Sequence, residues 1–349
     1  MKAVILAGGG GTRLLPITIR RPKPMVPIAG KPCIDYVIES LIKGGFDELV
    51  ITTSYLSDVL IKGVSSRGYE ATILYSFESE PLGTAGAVRK VSPFLDETFV
   101  VASGDVLADV SIRSLYKKHR TNGALATMAL VQVPDPSEYG AVRVDEENRV
   151  LEIQEKPPPG KAVSNMINAG IYVLEPEVLP SISEVSDFAR DVFPPLVERG
   201  EVYGVPIEGL WMDIGRPSDL IEANASVVER RGSSVEGMNG PVIVEEGAIV
   251  KGKVIGPSYI GRDVRIGQGA VLKRAYLGDG VVIGDQCVIE NSLAMGDTEI
   301  GPGAKIRDSV IGEHCKIADE AVAQDCVIGD GVAIGVHARL EGAKILPRD

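Results

Sequence analysis

Short apolar runs alternate with segments of helical periodicity through the first two thirds of the chain. The apolar runs predict buried β-strands at residues 3–6, 49–51, 71–74 and 99–101. Apolar positions recur at helical spacing over residues 34–42, and Gly44-Gly45 marks the end of that helix. Alternating strands and helices predict a Rossmann-like α/β fold, with a mostly parallel sheet covered by helices on both faces. Such sheets bind ligands at the carboxyl ends of their strands, so we expect the chemistry in the loops after Leu6 and Val101.

The pattern changes beyond residue 240. Aliphatic–glycine pairs recur there, and their glycines fall on two ladders with a 17-residue period: Gly261, Gly278, Gly312 and Gly329, and Gly267, Gly284, Gly301 and Gly335. Six-residue subunits within a three-sided coil indicate the hexapeptide repeat of a left-handed parallel β-helix, in which the aliphatic residue points inward and the glycine permits a corner. The polar, Gly/Ser-rich stretch before it predicts a linker. We therefore predict an α/β domain over residues 1–230, a linker over 231–240 and a β-helix domain over 241–349.

Composition and net charge exclude some classes of binding partner for the protein. Hydrophobic residues make up 44% and charged residues 24% of the 349 residues, as in ordinary globular proteins. The net charge of −12 argues against nucleic acid or a membrane surface as partner, since both require a broad basic face. The first apolar run is too short for a signal peptide or membrane span, so a cytoplasmic protein is expected. The cysteines form no CxxC pair and predict buried free thiols; they are Cys33, Cys287, Cys315 and Cys326.

The start of the chain has an unusual charge. Residues 1–34 contain six bases and no acid, and these bases overlap the glycine run at residues 8–11. Glycines let backbone N–H groups approach phosphate oxygens while nearby cations balance the charge, so the segment predicts a phosphate site. No Lys-Ser or Lys-Thr follows the glycines, which excludes a P-loop. A dinucleotide-binding helix is excluded because prolines follow too densely, at Pro16, Pro22, Pro24 and Pro27.

Seven ordered motifs carry a family resemblance. The first is LAGGGGTRLLPIT with RPKPMVPIAGKP, and six further motifs follow it: EPLGTAG (80–86), SGD (103–105), EYG (138–140), EKP (155–157), NAG (168–170) and WMDIG (211–215). Together they resemble the sugar nucleotidyltransferases, whose members join a nucleoside triphosphate to a sugar 1-phosphate and release pyrophosphate. The resemblance covers essentially the whole chain, because several members carry a C-terminal hexapeptide β-helix. EPLGTAG, SNMINAGIYVL and LWMDIGRPSD look most like the mannose-1-phosphate guanylyltransferases, so residues 1–230 are expected to be catalytic, with GTP and mannose 1-phosphate as substrates.

The resemblance implies roles for four catalytic residues. Arg13 is expected to neutralise the β- and γ-phosphates, since its planar fork suits oxygen pairs. Lys23 is expected to meet the α-phosphate, where charge builds up in the transition state. Asp105 and Asp213 are expected to hold one Mg²⁺ together with phosphate oxygens.

Two binding sets are also implied by the resemblance. The nucleotide is expected to contact Leu6, Ala7, Gly8, Gly9, Gly11, Thr12, Arg13, Glu80, Pro81, Leu82, Gly83, Thr84 and Gly104. The sugar phosphate is expected to contact Tyr139, Gly140, Glu155, Lys156, Asn168 and Gly170.

Several alternatives stay open from the sequence. A uridylyl-, thymidylyl- or adenylyltransferase acting on glucose 1-phosphate would use the same mechanism. A non-catalytic homologue would bind the sugar nucleotide as a sensor, although such a protein has no need to keep Arg13, Lys23 and Asp105. His337 at a coil edge would suit acetyl transfer, and a lone histidine is more often structural. Partly uncovered coil faces predict a homo-oligomer.

Overall fold

A computed structural model describes residues 1–347. The chain forms two compact units: the first contains Met1–Gly9 and Ile34–Trp211, and the second contains Gly10–Cys33 and Met212–Asp349. We call residues 10–33 the basic segment, because it carries Arg13, Lys23 and three other cations but no acid. The basic segment therefore packs with the C-terminal part of the chain. Within residues 1–347, no helix is both long enough and apolar enough to cross a membrane.

The elements up to residue 231 follow the predicted alternation. The helices are α1 (Cys33–Gly44), α2 (Ser57–Ser65), α3 (Gly83–Lys90), α4 (Ile112–Asn122), α5 (Phe193–Glu198) and α6 (Pro217–Arg231). The strands are β1 (Lys2–Leu6), β2 (Pro27–Ile28), β3 (Lys31–Pro32), β4 (Glu48–Thr53), β5 (Thr72–Phe77), β6 (Phe99–Ser103), β7 (Val106–Val110), β8 (Ala126–Gln132), β9 (Gly140–Val144), β10 (Val150–Glu155), β11 (Met166–Leu174), β12 (Val202–Pro206) and β13 (Gly209–Asp213). The four predicted strands correspond to β1, β4, β5 and β6, and the predicted helix to α1.

The first unit is an α/β domain whose main sheet is rich in parallel pairs. Its strand order is β10-β9-β11-β6-β1-β4-β5, with β8 pairing both β11 and β12. The pairs β6-β1, β1-β4, β4-β5 and β8-β12 are parallel, whereas β11 is antiparallel to β6, β8 and β9. β9 and β10 are also antiparallel, because the turn between them is too short for a parallel crossover. Its core includes a tight aromatic group, in which the rings of Tyr172 and Phe193 lie 4.9 Å apart.

Beyond residue 232 the second unit is built from short strands, which are parallel to their partners except for the antiparallel pair β14–β15. They are β14 (Ser233–Ser234), β15 (Pro241–Val244), β16 (Ile249–Val250), β17 (Lys253–Ile255), β18 (Ser258–Ile260), β19 (Arg265–Ile266), β20 (Val271–Leu277), β21 (Val282–Ile283), β22 (Val288–Ala294), β23 (Glu299–Ile300), β24 (Lys305–Arg307), β25 (Val310–Ile311), β26 (Lys316–Ile317), β27 (Val322–Gln324), β28 (Val327–Ile328), β29 (Ala333–Ile334), β30 (Arg339–Glu341) and β31 (Lys344–Ile345). From β19 onward, partners in neighbouring coils are 17 residues apart, as in the register Ile266↔Ile283 and Ile283↔Ile300.

The interior of this unit is a stack of aliphatic side chains. Ile266, Ile283, Ile300 and Ile317 lie one above another and are each about 2% exposed. Cys287, Cys315 and Cys326 belong to the same core, and all four cysteines of the chain are free and buried. Burial raises the pKa of the Cys287 and Cys315 thiols, which keeps them protonated and unreactive. The predicted buried free thiols are confirmed.

The glycine ladders have a second role besides the predicted one. None of the eight ladder glycines has a positive φ. The positive φ values fall on three 17-residue series, 263/280/297/314/331, 269/286/303/320/337 and 274/291/308/325/342, of which the first two lie two residues after the ladder positions. A Cβ at Gly261 would lie 2.7 Å from the backbone of Gly278 in the next coil. A Cβ at Gly335 in the last coil would meet nothing within 4 Å. The ladder glycines therefore begin the corner turns, as in the bond from the Val281 N–H to the Gly278 carbonyl, and they also allow neighbouring coils to approach closely.

Residues 231–240, predicted to be a linker, are ordered in the second unit. Ser233 and Ser234 pair antiparallel with Val242 and Pro241. Met238 packs against the aliphatic core. The domain limits 1–230, 231–240 and 241–349 stay a prediction, and the compact units divide the chain at other points.

Candidate functional site

The first unit has a cavity where three parallel strands end. The register places Leu6 at the end of β1 beside Thr52 of β4 and Ser103 of β6. We call this space, of about 260 Å³, the strand-end cavity; its lining residues are Leu6, Gly8, Gly9, Thr52, Ser54, Glu78, Pro81, Gly83, Thr84, Ala87, Ser103, Asp105 and Asp187. Ligands of parallel sheets bind at this edge, so its position fits the prediction made for the loop after Leu6.

Backbone forms one wall of the strand-end cavity. The hydroxyl of Ser54 donates to the carbonyl of Gly8 at 2.8 Å and fixes the start of the glycine run. A Cβ at Gly8 would lie 3.5 Å from the Ser54 Oγ and 3.7 Å from the Glu78 Oε1, whereas one at Gly9 would meet nothing within 4 Å. The glycine run thus leaves room for a flat group to lie on the main chain.

The opposite wall is the first turn of α3. Gly83 has φ +75°, and a Cβ there would lie 2.5 Å from the Ser186 carbonyl oxygen, so no other residue fits. The backbone N–H and the hydroxyl of Thr84 both donate to the Asp187 Oδ1, at 3.0 and 3.1 Å. The Thr84 hydroxyl also accepts from the Phe188 N–H at 3.0 Å. These contacts hold the predicted PLGT motif in place.

Asp105 follows the central strand β6. The Gly104 N–H donates to the Leu6 carbonyl at 2.8 Å, and a Cβ at Gly104 would lie 2.9 Å from the Ile5 side chain. Gly104 therefore lies tight against β1, behind the wall of the cavity. The next residue, Asp105, lines the cavity itself.

The residues predicted for the sugar form a second cluster in the first unit. Glu155 and Gly140 are directly paired across β10 and β9, and a Cβ at Gly140 would lie 2.6 Å from the Glu155 Oε1. The Asn168 side-chain Oδ1 accepts from the Gly170 N–H at 2.9 Å, and its Nδ2 donates to the Tyr172 hydroxyl at 2.9 Å. Burial raises the pKa of Tyr172, so its phenol oxygen is a neutral acceptor.

This cluster adjoins the strand-end cavity. The register of β11 against β8 shifts between Asn168 and Tyr172, and a Cβ at Gly170 would lie 2.7 Å from the Ser103 Oγ, which lines the cavity. Irregular strands are common beside active sites because they redirect side chains. The Lys156 N–H donates to the Tyr139 carbonyl at 2.9 Å. The Tyr139 ring meets Trp211 edge-on at 6.2 Å, and the Trp211 indole donates to the Ala169 carbonyl.

The second unit holds the predicted cations and one predicted metal ligand. Lys23 is 7% exposed and donates from Nζ to the Asp213 Oδ1 at 3.1 Å. Arg13, whose side chain is 55% exposed, has Nη2 3.6 Å from the other carboxylate oxygen of Asp213. A Cβ at Gly11 would lie 2.9 Å from the Lys23 Cβ, so the glycine run and the lysine are closely packed. Lys23 is held by burial and by its acidic partner, whereas the Arg13 side chain is more than half exposed.

The sequence-predicted residues therefore fall into four places. Leu6, Gly8, Gly9, Pro81, Gly83, Thr84 and Asp105 line the strand-end cavity, with Ala7 and Gly104 directly behind it. Glu80 and Leu82 line a neighbouring cavity of about 560 Å³ in the first unit. Tyr139, Gly140, Glu155, Lys156, Asn168 and Gly170 form the second cluster. Gly11, Thr12, Arg13, Lys23 and Asp213 belong to the second unit.

Several residues of these sites were given no role from the sequence. Ser54 and Glu78 immediately follow β4 and β5, so the strand-end rule would have found them if it had been applied beyond the first and central strands. Asp187 has no comparable local signal, and Trp211 belongs to the WMDIG motif but was given no role there. Over residues 1–347, no group of three or more His, Cys, Asp or Glu side chains is arranged to hold a metal ion, and His337 is an exposed corner residue 3.3 Å from Glu320.

Comparisons with known proteins identify the family. A family model described as "Nucleotidyl transferase" matches residues 2–230, and one described as "GMPPB C-terminal domain" matches residues 254–349. The crystal structure of HddC from Yersinia pseudotuberculosis complexed with GMP-PN aligns with a TM-score of 0.54 at 29% identity, covering 65% of this chain and 99% of that one.

Curated relatives differ in the substrates that their names state. The UTP–glucose-1-phosphate uridylyltransferase of Synechocystis sp. is 35% identical over 88% of this chain and 86% of its own length. The mannose-1-phosphate guanylyltransferase of Mycobacterium tuberculosis is 36% identical over 76% of this chain and 77% of its own length. The catalytic subunit beta of Drosophila pseudoobscura pseudoobscura mannose-1-phosphate guanylyltransferase is 37% identical over 63% of this chain, which spans 60% of that protein. The chain belongs to the nucleotidyl transferase family and, within it, to the sugar-1-phosphate nucleotidyltransferases.

Proposed function

We propose that the chain forms GDP-mannose and pyrophosphate from GTP and mannose 1-phosphate. The observation that carries this choice is the match of residues 254–349 to the GMPPB C-terminal domain, in a chain whose residues 2–230 match the nucleotidyl transferases. Relatives named mannose-1-phosphate guanylyltransferase support the same substrate pair.

In this proposal the base and ribose enter the strand-end cavity. The base lies on the main chain at Gly8 and Gly9, where no side chain intervenes. Ser54 keeps the carbonyl of Gly8 in place through its 2.8 Å hydrogen bond. Thr84 and Asp187 keep the first turn of α3 rigid, so the nucleotide meets a site that needs little rearrangement.

Arg13 and Lys23 bind the triphosphate. Without ligand, both cations have Asp213 as an acidic partner, at 3.6 and 3.1 Å. Phosphate oxygens offer these cations stronger acceptors than one carboxylate, and Lys23 acts where charge develops on the α-phosphate. The sugar phosphate oxygen then attacks in line and pyrophosphate leaves, so positioning and charge do most of the catalysis.

Asp105 and Asp213 would hold Mg²⁺. Carboxylates are the protein ligands this ion uses beside phosphate oxygens, and Asp213 is a partly buried carboxylate next to the two phosphate-binding cations. The ion would supply charge neutralisation on the triphosphate. Gly140, Glu155 and Asn168 would hold the sugar hydroxyls, with Tyr139 and Gly170 beside them and Lys156 on the sugar phosphate.

For the second unit we propose a left-handed parallel β-helix that mediates homo-oligomer formation. The parallel 17-residue register and the three series of corner residues support the coil. Exposed Val282 and Ile249 on its outer faces support association. Sedimentation should then give a species larger than the 37.0 kDa chain at micromolar concentration.

A second candidate is a uridylyltransferase acting on glucose 1-phosphate. It is favoured by the Synechocystis relative, whose match extends over 88% of this chain. Both candidates use the same phosphate chemistry and differ only in the base and the sugar epimer.

One panel of substrate assays tests both candidate functions. Pyrophosphate release is measured with GTP, UTP, dTTP and ATP, each against mannose 1-phosphate, glucose 1-phosphate and N-acetylglucosamine 1-phosphate, with Asp105→Asn as the matched inactive control. The highest kcat/KM is expected for GTP with mannose 1-phosphate, and Asp105→Asn should fold but lose most turnover. A higher kcat/KM for UTP with glucose 1-phosphate would replace the first candidate by the second. Nucleotide-sugar binding without turnover of any pair would indicate a sensor.

A further inference from the structure

One residue of the basic segment forms a buried ion pair with a coil of the second unit. Arg21 is 8% exposed, its Nη1 donates to the Glu313 Oε1 at 2.6 Å, and its Nη2 donates to the Asp330 Oδ2 at 2.8 Å. Asp330 is itself 6% exposed. Burial would lower the pKa of Arg21, but its hydrogen bonds and the charges of Glu313 and Asp330 outweigh burial and raise it. Arg21 therefore stays protonated.

A comparison with an equivalent coil position explains why one carboxylate oxygen of Asp330 accepts a hydrogen bond from Arg21. Its Oδ1 accepts from the Glu313 N–H at 2.9 Å, which repeats the bond from the Arg262 N–H to the Asp279 Oδ1 at 2.9 Å. At Asp279 the second oxygen is taken by the Arg262 side chain of the preceding coil, at 2.7 Å. At the corresponding position beside Asp330 the chain has Glu313, and the guanidinium comes from Arg21 instead. An ordinary contact between coils is thus replaced by a contact with the basic segment.

Arg21 lies two residues before Lys23, which belongs to the proposed phosphate site. Only Pro22 separates it from Lys23, and the proline ring fixes φ at this point, so a shift at Arg21 is passed on to Lys23. Lys23 packs tightly against Gly11 of the glycine run. The far end of the segment is held separately, where the Ala29 N–H donates to the Asn224 side chain at 2.8 Å.

We propose that Arg21 is a positioning residue, which fixes Lys23 and the glycine run against the triphosphate by anchoring the basic segment to Asp330 and Glu313. The coils of the second unit then contribute to catalysis through this ion cluster, in addition to any role in assembly. This inference rests on the proposed function, because it takes Lys23 and the glycine run to bind phosphate. It predicts that loss of the anchor impairs use of the nucleotide much more than use of the sugar phosphate.

The test compares Arg21→Met and Arg21→Lys with Arg262→Met, which removes the equivalent ion pair inside the coils. For Arg21→Met, kcat/KM for the nucleotide should fall about 10- to 100-fold, while KM for the sugar phosphate stays within about twofold. Arg21→Lys should recover part of the loss, and Arg262→Met should match the wild type. In the ligand-free chain, amide hydrogen exchange should quicken over residues 10–33 for Arg21→Met only. Wild-type nucleotide kinetics or unchanged exchange in Arg21→Met would overturn the inference.

Arg21→Met leaves the buried Asp330 carboxylate and the partly exposed Glu313 carboxylate without the Arg21 guanidinium, so a second variant guards against simple unfolding. The triple variant Arg21→Met/Glu313→Gln/Asp330→Asn removes all three charges and should fold, yet show the same nucleotide-selective loss. An equal loss for both substrates in the folded triple variant would indicate a merely structural role and overturn the inference. If the wild type released no pyrophosphate from any substrate pair, the proposed function would fail, and the exchange experiment would still decide whether Arg21 anchors the segment.

Discussion

The two units fix their backbones in different ways. In the second unit, each coil repeats the contacts of the one before it, so Ile266, Ile283 and Ile300 occupy equivalent positions. In the first unit, the site is held by contacts that occur once, such as Ser54 on Gly8 or Thr84 on Asp187. A structure built from repeated contacts leaves a regular pattern in its sequence and tolerates many small changes. Single contacts leave no pattern, and each has its own consequence when it is removed.

The largest effect is expected where a single contact in the second unit serves the chemistry. Lys23→Met keeps the length of the side chain but removes the charge that donates to Asp213 at 3.1 Å. We expect kcat to fall roughly 10²- to 10³-fold, because a preorganised charge near the α-phosphate is lost. Lys316→Met, at an exposed coil position, is the control and should leave kcat unchanged. Initial rates of pyrophosphate release measure both variants, and near-wild-type turnover of Lys23→Met would remove the lysine from the mechanism.

The repeating contacts are tested by a pair of glycines. A Cβ at Gly284 would lie 2.5 Å from the Pro302 nitrogen of the next coil, so Gly284→Ala should lower the free energy of unfolding by about 1–3 kcal/mol. Gly335→Ala, in the last coil, meets nothing within 4 Å and should change it by less than about 0.5 kcal/mol. Denaturant unfolding followed by circular dichroism measures the difference. Equal costs at the two positions would contradict the close approach of coils as the reason for the ladder.

A single buried network in the first unit should make stability depend on pH. His119 is fully buried, with one ring nitrogen 2.8 Å from the Thr127 hydroxyl and the other 3.2 Å from the Glu175 carboxylate. Burial lowers the pKa of His119 despite the raising effect of Glu175. The unfolded chain therefore binds a proton that the folded chain does not, and stability is lost as pH falls below about 6.5.

The measurement is the slope of the free energy of unfolding against pH. Between pH 7.5 and 5.5, the free energy of unfolding should fall by at most about 1.4 kcal/mol per pH unit because of this histidine. His119→Gln should flatten that part of the curve, whereas His314→Gln, at an exposed corner, should keep the wild-type slope. The lowered pKa of Glu175, which Thr98 and His119 hold down against the effect of burial, acts in the same direction but at lower pH. A wild-type slope in His119→Gln would show that another group titrates.

The same contrast explains what the sequence could and could not predict. Periodicity predicted β1, β4, β5, β6 and the coils, because burial on a regular element leaves a regular pattern. Periodicity could not predict that the basic segment packs with the C-terminal part of the chain. That arrangement depends on individual contacts, such as the one between Arg21 and Asp330, which are 309 residues apart. Periodicity placed the ladder glycines at the corners but could not show that closeness to the next coil also favours glycine there, because only coordinates give that distance.

The smallest effect concerns a residue that the sequence analysis missed. Ser54→Ala removes the hydrogen bond that holds the Gly8 carbonyl, while the shape of the strand-end cavity hardly changes. A net hydrogen bond contributes about 0.5–1.5 kcal/mol, so KM for the nucleotide should rise about three- to tenfold with little change in kcat. Ser66→Ala removes a similar bond, from Ser66 to the Gly63 carbonyl at the exposed end of α2, and is the matched control. If Ser54→Ala changed KM no more than Ser66→Ala does, the glycine run would be held by the strand ends alone, and single side-chain contacts would matter less in the first unit than its geometry suggests.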